Sequence, residues 1–139
     1  MALLSYNRSI ITNEAEATFV PLTGIPTLIL EFGLFVPTAT NFVELRTSVG
    51  WQVVNTIADF QPTLRLVVLQ DGLEVGAAHQ EALADGDDEP VEMLAAFQTV
   101  LTDVTVGHHV YQVLVYNLQP AQGDIAVTGP ATISGKVIS

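Results

Sequence analysis

The chain has 139 residues, four Lys or Arg against fifteen Asp or Glu, and no cysteine, for a net charge of −11. That balance repels phosphate backbones and anionic lipid surfaces, so neither nucleic acid nor a membrane is an expected partner; the missing thiols exclude cysteine nucleophiles, disulfide frameworks and Cys-ligated zinc. Charged residues make up 14% and hydrophobic ones 49%, against about 25% charged in an ordinary soluble domain, and this apolar excess points to subunit interfaces.

In chain order, residues 1–16 combine a short apolar start with Arg8, Ile10, Ile11 and Thr12 and the acids Glu14 and Glu16. They read as an N-terminal extended arm, with residues 17–139 as one β-sandwich domain. The start has no basic segment and no sustained apolar run, so no secretory signal is expected. Ala17 to Leu22 reads as a short strand stopped at Pro21, and Thr27 to Val36 as a strand with Gly33 as a bulge or kink before Pro37. From Val43, the residues Val43, Leu45, Thr47, Val49, Trp51 and Val53 alternate with Glu44, Arg46, Ser48, Gly50 and Gln52. Period 2 sends the two sets to opposite faces, Trp51 to a core and Glu44 and Arg46 to solvent or a neighbouring subunit. Leu64 to Leu69 is a second strand, apolar on both faces except at Arg65, and Asp71-Gly72 is a hairpin turn.

Gly76 to Pro90 holds the only acidic cluster and reads as a long loop. Val91 to Val104 fits two periods: Leu94, Phe97 and Leu101 have helical spacing, while Val91, Met93, Ala95, Phe97, Thr99 and Leu101 alternate. The β-branched run that follows decides for a strand, with Val106-Gly107 as a hairpin turn into His109 to Asn117. Gln119 to Asp124 is a loop, and Ile125 to Ile138 gives one or two last strands around Gly129-Pro130. Many strands with no helical interval predict an all-β fold, an antiparallel β-sandwich of jelly-roll type.

Side chains with site chemistry are few. The tract Asp85-Gly86-Asp87-Asp88-Glu89 lacks EF-hand spacing and reads as a solvated acidic loop, so no metal is expected. His79, His108 and His109 are the only histidines. Adjacent His108 and His109 point to opposite strand faces and cannot chelate one ion together, so a turn histidine beside a packed one is expected. None of Ser5, Ser9, Ser48, Ser134 and Ser139 lies in a nucleophile elbow, and no glycine-rich phosphate loop is present. Trp51, Phe97, Tyr111, Tyr116 and Phe60 offer either a core or a sugar-stacking platform, and strand spacing favours core. No catalytic residue and no cofactor is expected.

The ordered segments FGLFVP (Phe32 to Pro37), VELRTSVGWQ (Val43 to Gln52), LQDGLEV (Leu69 to Val75), GHHVYQVLVYN (Gly107 to Asn117) and VTGPATISGKVI (Val127 to Ile138) carry a resemblance. The series resembles the exosporium protein C type of spore-surface protein from endospore-forming bacteria, and in strand order is similar to the C1q and tumour-necrosis-factor-like jelly rolls. The chain departs from the pattern at Gln70, in the acidic Ala84 to Glu89 stretch and in the Ala/Leu-rich Val91 to Ala96. The resemblance implies a non-enzymatic structural component of the exosporium, made in the mother cell without a signal peptide, whose partners are copies of itself, as a homo-oligomer or filament, and other spore-coat proteins. Arg8, Ile10, Ile11 and Thr12 of the arm are the expected assembly interface, by strand addition to a neighbour. The alternative function is a carbohydrate- or surface-ligand-binding module on the same sandwich.

Overall fold

A computed structural model describes residues 2–11, 20–56, 62–82 and 92–139. Through them run β1 (Leu3–Ile11), β2 (Val20–Leu22), β3 (Thr27–Val36), β4 (Phe42–Thr56), β5 (Thr63–Gln70), β6 (Leu73–Glu81), β7 (Glu92–Thr102), β8 (Gly107–Asn117) and β9 (Gly123–Ile138), with one turn of 3-10 helix at Pro120–Gln122. The strands form two antiparallel sheets. The front sheet has the order β1-β9-β4-β7, with β2 also on β9, and the back sheet has the order β3-β8-β5-β6. From β3 onward every connection except the β5–β6 hairpin crosses from one sheet to the other, which is the winding of a jelly roll.

The core lies between the sheets and follows the alternation. On β4, Val43, Leu45, Val49, Trp51 and Val53 are all buried, and they face Leu64, Leu66 and Val68 of β5 and Tyr111, Val113 and Val115 of β8. Phe32 stacks on Tyr111 with ring centroids 5.4 Å apart. On β7 the strand period prevails over the helical one, because Met93, Ala95, Phe97, Thr99 and Leu101 oppose the inward set of β4 in register.

Several expectations need correction. Val106-Gly107 does not close a hairpin: β7 lies in the front sheet and β8 in the back sheet. A side chain far away in sequence makes this a corner. Buried Asn41 donates from Nδ2 to the carbonyls of Val104 (2.9 Å) and Thr38 (2.7 Å), and its Oδ1 accepts from the Val104 N–H (3.0 Å). The Asn41 amide thereby supplies the bonds a neighbouring strand would have supplied. Gly76 to Glu81 is strand rather than loop, the outer half of the β6 hairpin arm paired with β5. Gly33 is no bulge, since the register shift of β3 falls between Leu28 and Leu30; the exposed His108 ring lies over it, 2.5 Å from where a Cβ would stand, and a side chain there would displace that ring. Ile125 to Ile138 is one strand that begins at Gly123. It bulges at Thr128-Gly129-Pro130, where the Gly129 carbonyl rests on Gly50 and leaves no room for a Cβ there.

Residues 3–11 of the expected arm are an integral strand, with β1 paired to β9 from Leu3↔Ile138 to Ile11↔Ala131. The arm thus covers an edge of its own subunit. Thr12, the acidic tract 85–89 and Phe60 lie outside the described residues.

Candidate functional site

Among the described residues a polar cluster forms where the β5–β6 turn meets the β7–β8 corner. A two-residue hairpin turn asks for positive φ at both positions, and Asp71 (φ 50°) and Gly72 (φ 87°) provide it. That conformation points the Asp71 side chain at the start of β8. The Asp71 N–H donates to the Val110 carbonyl (2.8 Å), and Asp71 Oδ1 accepts from the Val110 N–H (2.8 Å). Its other oxygen meets His109 Nδ1 at 2.5 Å, while His109 Nε2 meets the Thr105 carbonyl at 2.7 Å.

A carboxylate and a backbone carbonyl can only accept, so both ring nitrogens of His109 serve as donors and the imidazolium is the favoured form. Burial of the ring works against its charge, but the Thr105 carbonyl and the Asp71 carboxylate outweigh it and hold the His109 pKa above its usual value. The Val110 N–H lowers the pKa of Asp71 by more than burial raises it, and His109 lowers it further. Next to this pair, burial, followed by the Asp71 charge, pushes Tyr111 up to about 12, so its hydroxyl stays protonated and donates to Gln70 Oε1 at 2.8 Å.

Asp71, His109 and Thr105 have the residue types of an acid–base–nucleophile relay. Thr105 Oγ1 lies 3.3 Å from His109 Nε2, but a nitrogen that donates to the Thr105 carbonyl cannot also take a proton from that hydroxyl. What this geometry does chemically is clamp: it joins the hairpin turn to the corner through charge-assisted bonds. Sequence reasoning placed one packed histidine beside one turn histidine, and His109 is buried while His108 is exposed. The pairing with Asp71 had no signal beyond the Asp-Gly turn itself, 38 residues away.

The second candidate is the outward face of the front sheet. Register aligns Arg8 of β1, Ser134 of β9, Arg46 of β4 and Gln98 of β7 in one cross-strand row, flanked by the rows Tyr6, Lys136, Glu44, Val100 and Ile10, Thr132, Ser48, Ala96. A shallow depression of about 510 Å³ lies between Arg46, Ser48, Gln98, Thr132 and Ser134. Of the expected interface residues, Arg8 and Ile10 point outward here, and Ile11 ends the strand. Lys136 reaches Glu44 at 4.0 Å. Among the described residues Arg8 and Arg46 have no ion-pair partner.

Of the expected platform aromatics, those among the described residues do not come together on one surface. Trp51 and Tyr111 are 0% exposed, Phe97 packs against the core, and Tyr116 is half-buried on the outer face of β8. Among the described residues no group of three or more His, Asp or Glu is placed to hold a metal ion, and no helix is long and apolar enough to cross a membrane. No family model matches the sequence, and no curated protein matches it.

Proposed function

We propose that this chain is a non-enzymatic structural protein of the bacterial spore surface, an exosporium or appendage component that self-assembles into homo-oligomers or fibres. The observation that carries the reading is the outward face of the front sheet. There Tyr6, Ile10, Phe42, Leu94 and Val100, each between 40% and 57% exposed, stand on one surface. In a chain with so few charges, five large apolar side chains exposed among the polar rows of one sheet face favour its burial against another protein surface. The polar cluster at His109 supports the same reading, because its groups are committed to joining strands. The placement on a spore rests on the ordered resemblance of five segments between Phe32 and Ile138.

The test is the state of the purified protein. Multi-angle light scattering over a concentration series, with negative-stain electron microscopy of the same samples, is expected to show discrete oligomers or fibres. A monomer at every concentration would remove the reading. Immunogold labelling of sporulating endospore-formers separates the location from the assembly, since label confined to the vegetative cytoplasm would refute the spore surface alone.

A further inference from the structure

The two outward faces differ in how their charges are arranged. Three of the four cations of the chain, Arg8, Arg46 and Lys136, stand together on the front face, whose acids among the described residues are Glu44 beside Lys136, Glu92 on β7 and Asp124 at the start of β9. On the back face the corresponding cross-strand row is Glu31 of β3, Gln112 of β8, Leu69 of β5 and Glu74 of β6. It carries an acid near each end and is bordered by the apolar row Leu28, Leu114, Val67 and Ala77. Glu31 accepts from Gln112 Nε2 at 2.7 Å, and Glu74 lies 3.7 Å from Arg65. Both glutamates remain exposed and keep free acceptor positions, whereas Arg8 and Arg46 present guanidinium forks suited to carboxylates.

We propose that copies of this chain stack front face on back face, with the row Arg8, Ser134, Arg46, Gln98 of one copy lying over the row Glu31, Gln112, Leu69, Glu74 of the next. The inference rests on the self-assembly reading above and adds its geometry. Charge favours this pairing: the guanidinium groups of Arg8 and Arg46, without an ion-pair partner among the described residues, stand in the front row, and the back row carries Glu31 and Glu74, whereas the front-face acid Glu44 already lies beside Lys136 and the back-face cation Arg65 beside Glu74. Area is sufficient. Four strands about 4.8 Å apart and roughly 30 Å long give a flat projection of about 600 Å² per face, and two such faces bury on the order of 1,200 Å², the lower end for a specific interface. The depression beside Arg46 offers a seat for a carboxylate. Because the two faces lie on opposite sides of one sandwich, the contact is heterologous and repeats along the axis that crosses the sheets. Two sheet spacings of about 10 Å each set a rise of roughly 20 Å per copy.

Charge exchange tests this directly. Variant one carries Arg8→Glu and Arg46→Glu, and variant two carries Glu31→Arg and Glu74→Arg; all four positions are exposed, and circular dichroism checks that each variant folds. At a concentration where the wild type assembles, each variant alone is expected to scatter as a monomer. A one-to-one mixture is expected to recover wild-type assembly, because each variant then offers the face its partner needs. If the wild type assembles and the variants assemble equally well, or the mixture fails to recover, the stacking is overturned while self-assembly stands. A wild type that stays monomeric overturns both. Fibre images whose axial repeat is unrelated to a rise of about 20 Å would likewise exclude stacking.

Discussion

Replacing Trp51 by alanine is expected to be among the most damaging single changes in this sandwich. Trp51 is the only tryptophan of the chain, is 0% exposed, and lies on the inward face of β4. Its Nε1–H donates to Gln80 Oε1 at 2.7 Å, and Gln80 Nε2 donates in turn to the Leu94 carbonyl of β7 at 3.3 Å. The ring therefore fills the core and also anchors the contact between β6 and the front sheet. Truncating a buried Trp to Ala costs about 3–5 kcal/mol through lost transfer energy and the cavity left behind. At about 2.1 cal/mol/K per residue, the 139 residues give an unfolding entropy of about 0.29 kcal/mol/K, so the melting temperature should fall by roughly 10–17 °C. Trp51→Phe separates the two contributions: it keeps most of the ring and leaves Gln80 Oε1 without its donor, a loss of about 1–3 kcal/mol. Differential scanning fluorimetry with an external dye measures both variants, and the wild-type tryptophan emission should be blue-shifted until the transition. A melting temperature within about 3 °C of wild type for Trp51→Ala would refute the packing argument. Equal losses for the two variants would assign the cost to the hydrogen bond alone.

The His109 clamp makes stability depend on pH in a defined direction. Its folded pKa is raised, so its contribution is complete below the unfolded value of 6.5 and is lost as pH rises through the folded value; for Asp71, whose pKa is lowered from 3.8, the contribution is present above 3.8 and is lost as pH falls through the lower folded value. Melting temperatures between pH 5 and 9 should accordingly decline on the alkaline side, and His109→Gln should flatten that decline; an identical profile for the variant would refute the imidazolium assignment. Asn41→Ala removes the acceptor of the Val104 N–H and the donor to the Val104 carbonyl, at a cost of about 2–6 kcal/mol for two buried groups. Urea unfolding should show the loss, and a midpoint matching wild type would mean that the corner holds without it. Deleting residues 1–11 strips β1 from β9 and should lower the melting temperature and weaken the far-ultraviolet strand signal; an unchanged spectrum would mean that β1 adds nothing to the sheet.

Local pattern carried the strands, and distance in sequence hid their partners. The alternation from Val43 to Val53 needs no knowledge of other strands, and all six of its inward residues are buried. The Asp71-Gly72 turn is likewise written in two residues. By contrast, Val106-Gly107 looks the same whether the chain folds back within a sheet or crosses to the other layer; the choice is made by Asn41, 63 residues before Val104. Residues 3–11 gave no sign of their partner, because pairing to 131–138 is a property of the closed sandwich. His109 and Asp71 follow the same rule: each was legible alone, one as a packed histidine and the other as a turn residue. Only the back sheet, which places β8 beside β5, brings them together. The charge of the front face was hidden for a related reason, since Arg8, Arg46 and Lys136 become neighbours only through β9.

The same closure bears on how copies of this chain meet. An open sheet edge invites strand addition, since its N–H and C=O groups lack partners. Here side chains have already taken part of that role. Between the β1 and β3 edges, Asn7 Nδ2 donates to the Gly33 carbonyl at 2.7 Å and the Glu31 N–H donates to Ser9 Oγ at 3.4 Å. On the other side, Gln80 spans from β6 to the Leu94 carbonyl of β7, and Gly76 leaves room for Thr99. A neighbour adding a strand at these positions would first have to displace such bonds, and the gain in main-chain hydrogen bonds would be reduced by those lost. A contact through the outer faces displaces none of them. Such a contact would bury Tyr6, Ile10 and Val100, which are now exposed, and would offer a carboxylate to the guanidinium groups of Arg8 and Arg46, which have no ion-pair partner among the described residues. Between edge addition and face contact, the lower reorganisation cost therefore lies with the faces. Because charge contributes to that contact, added salt should weaken it as the Debye length shrinks from about 10 Å at 0.1 M to about 3 Å at 1 M.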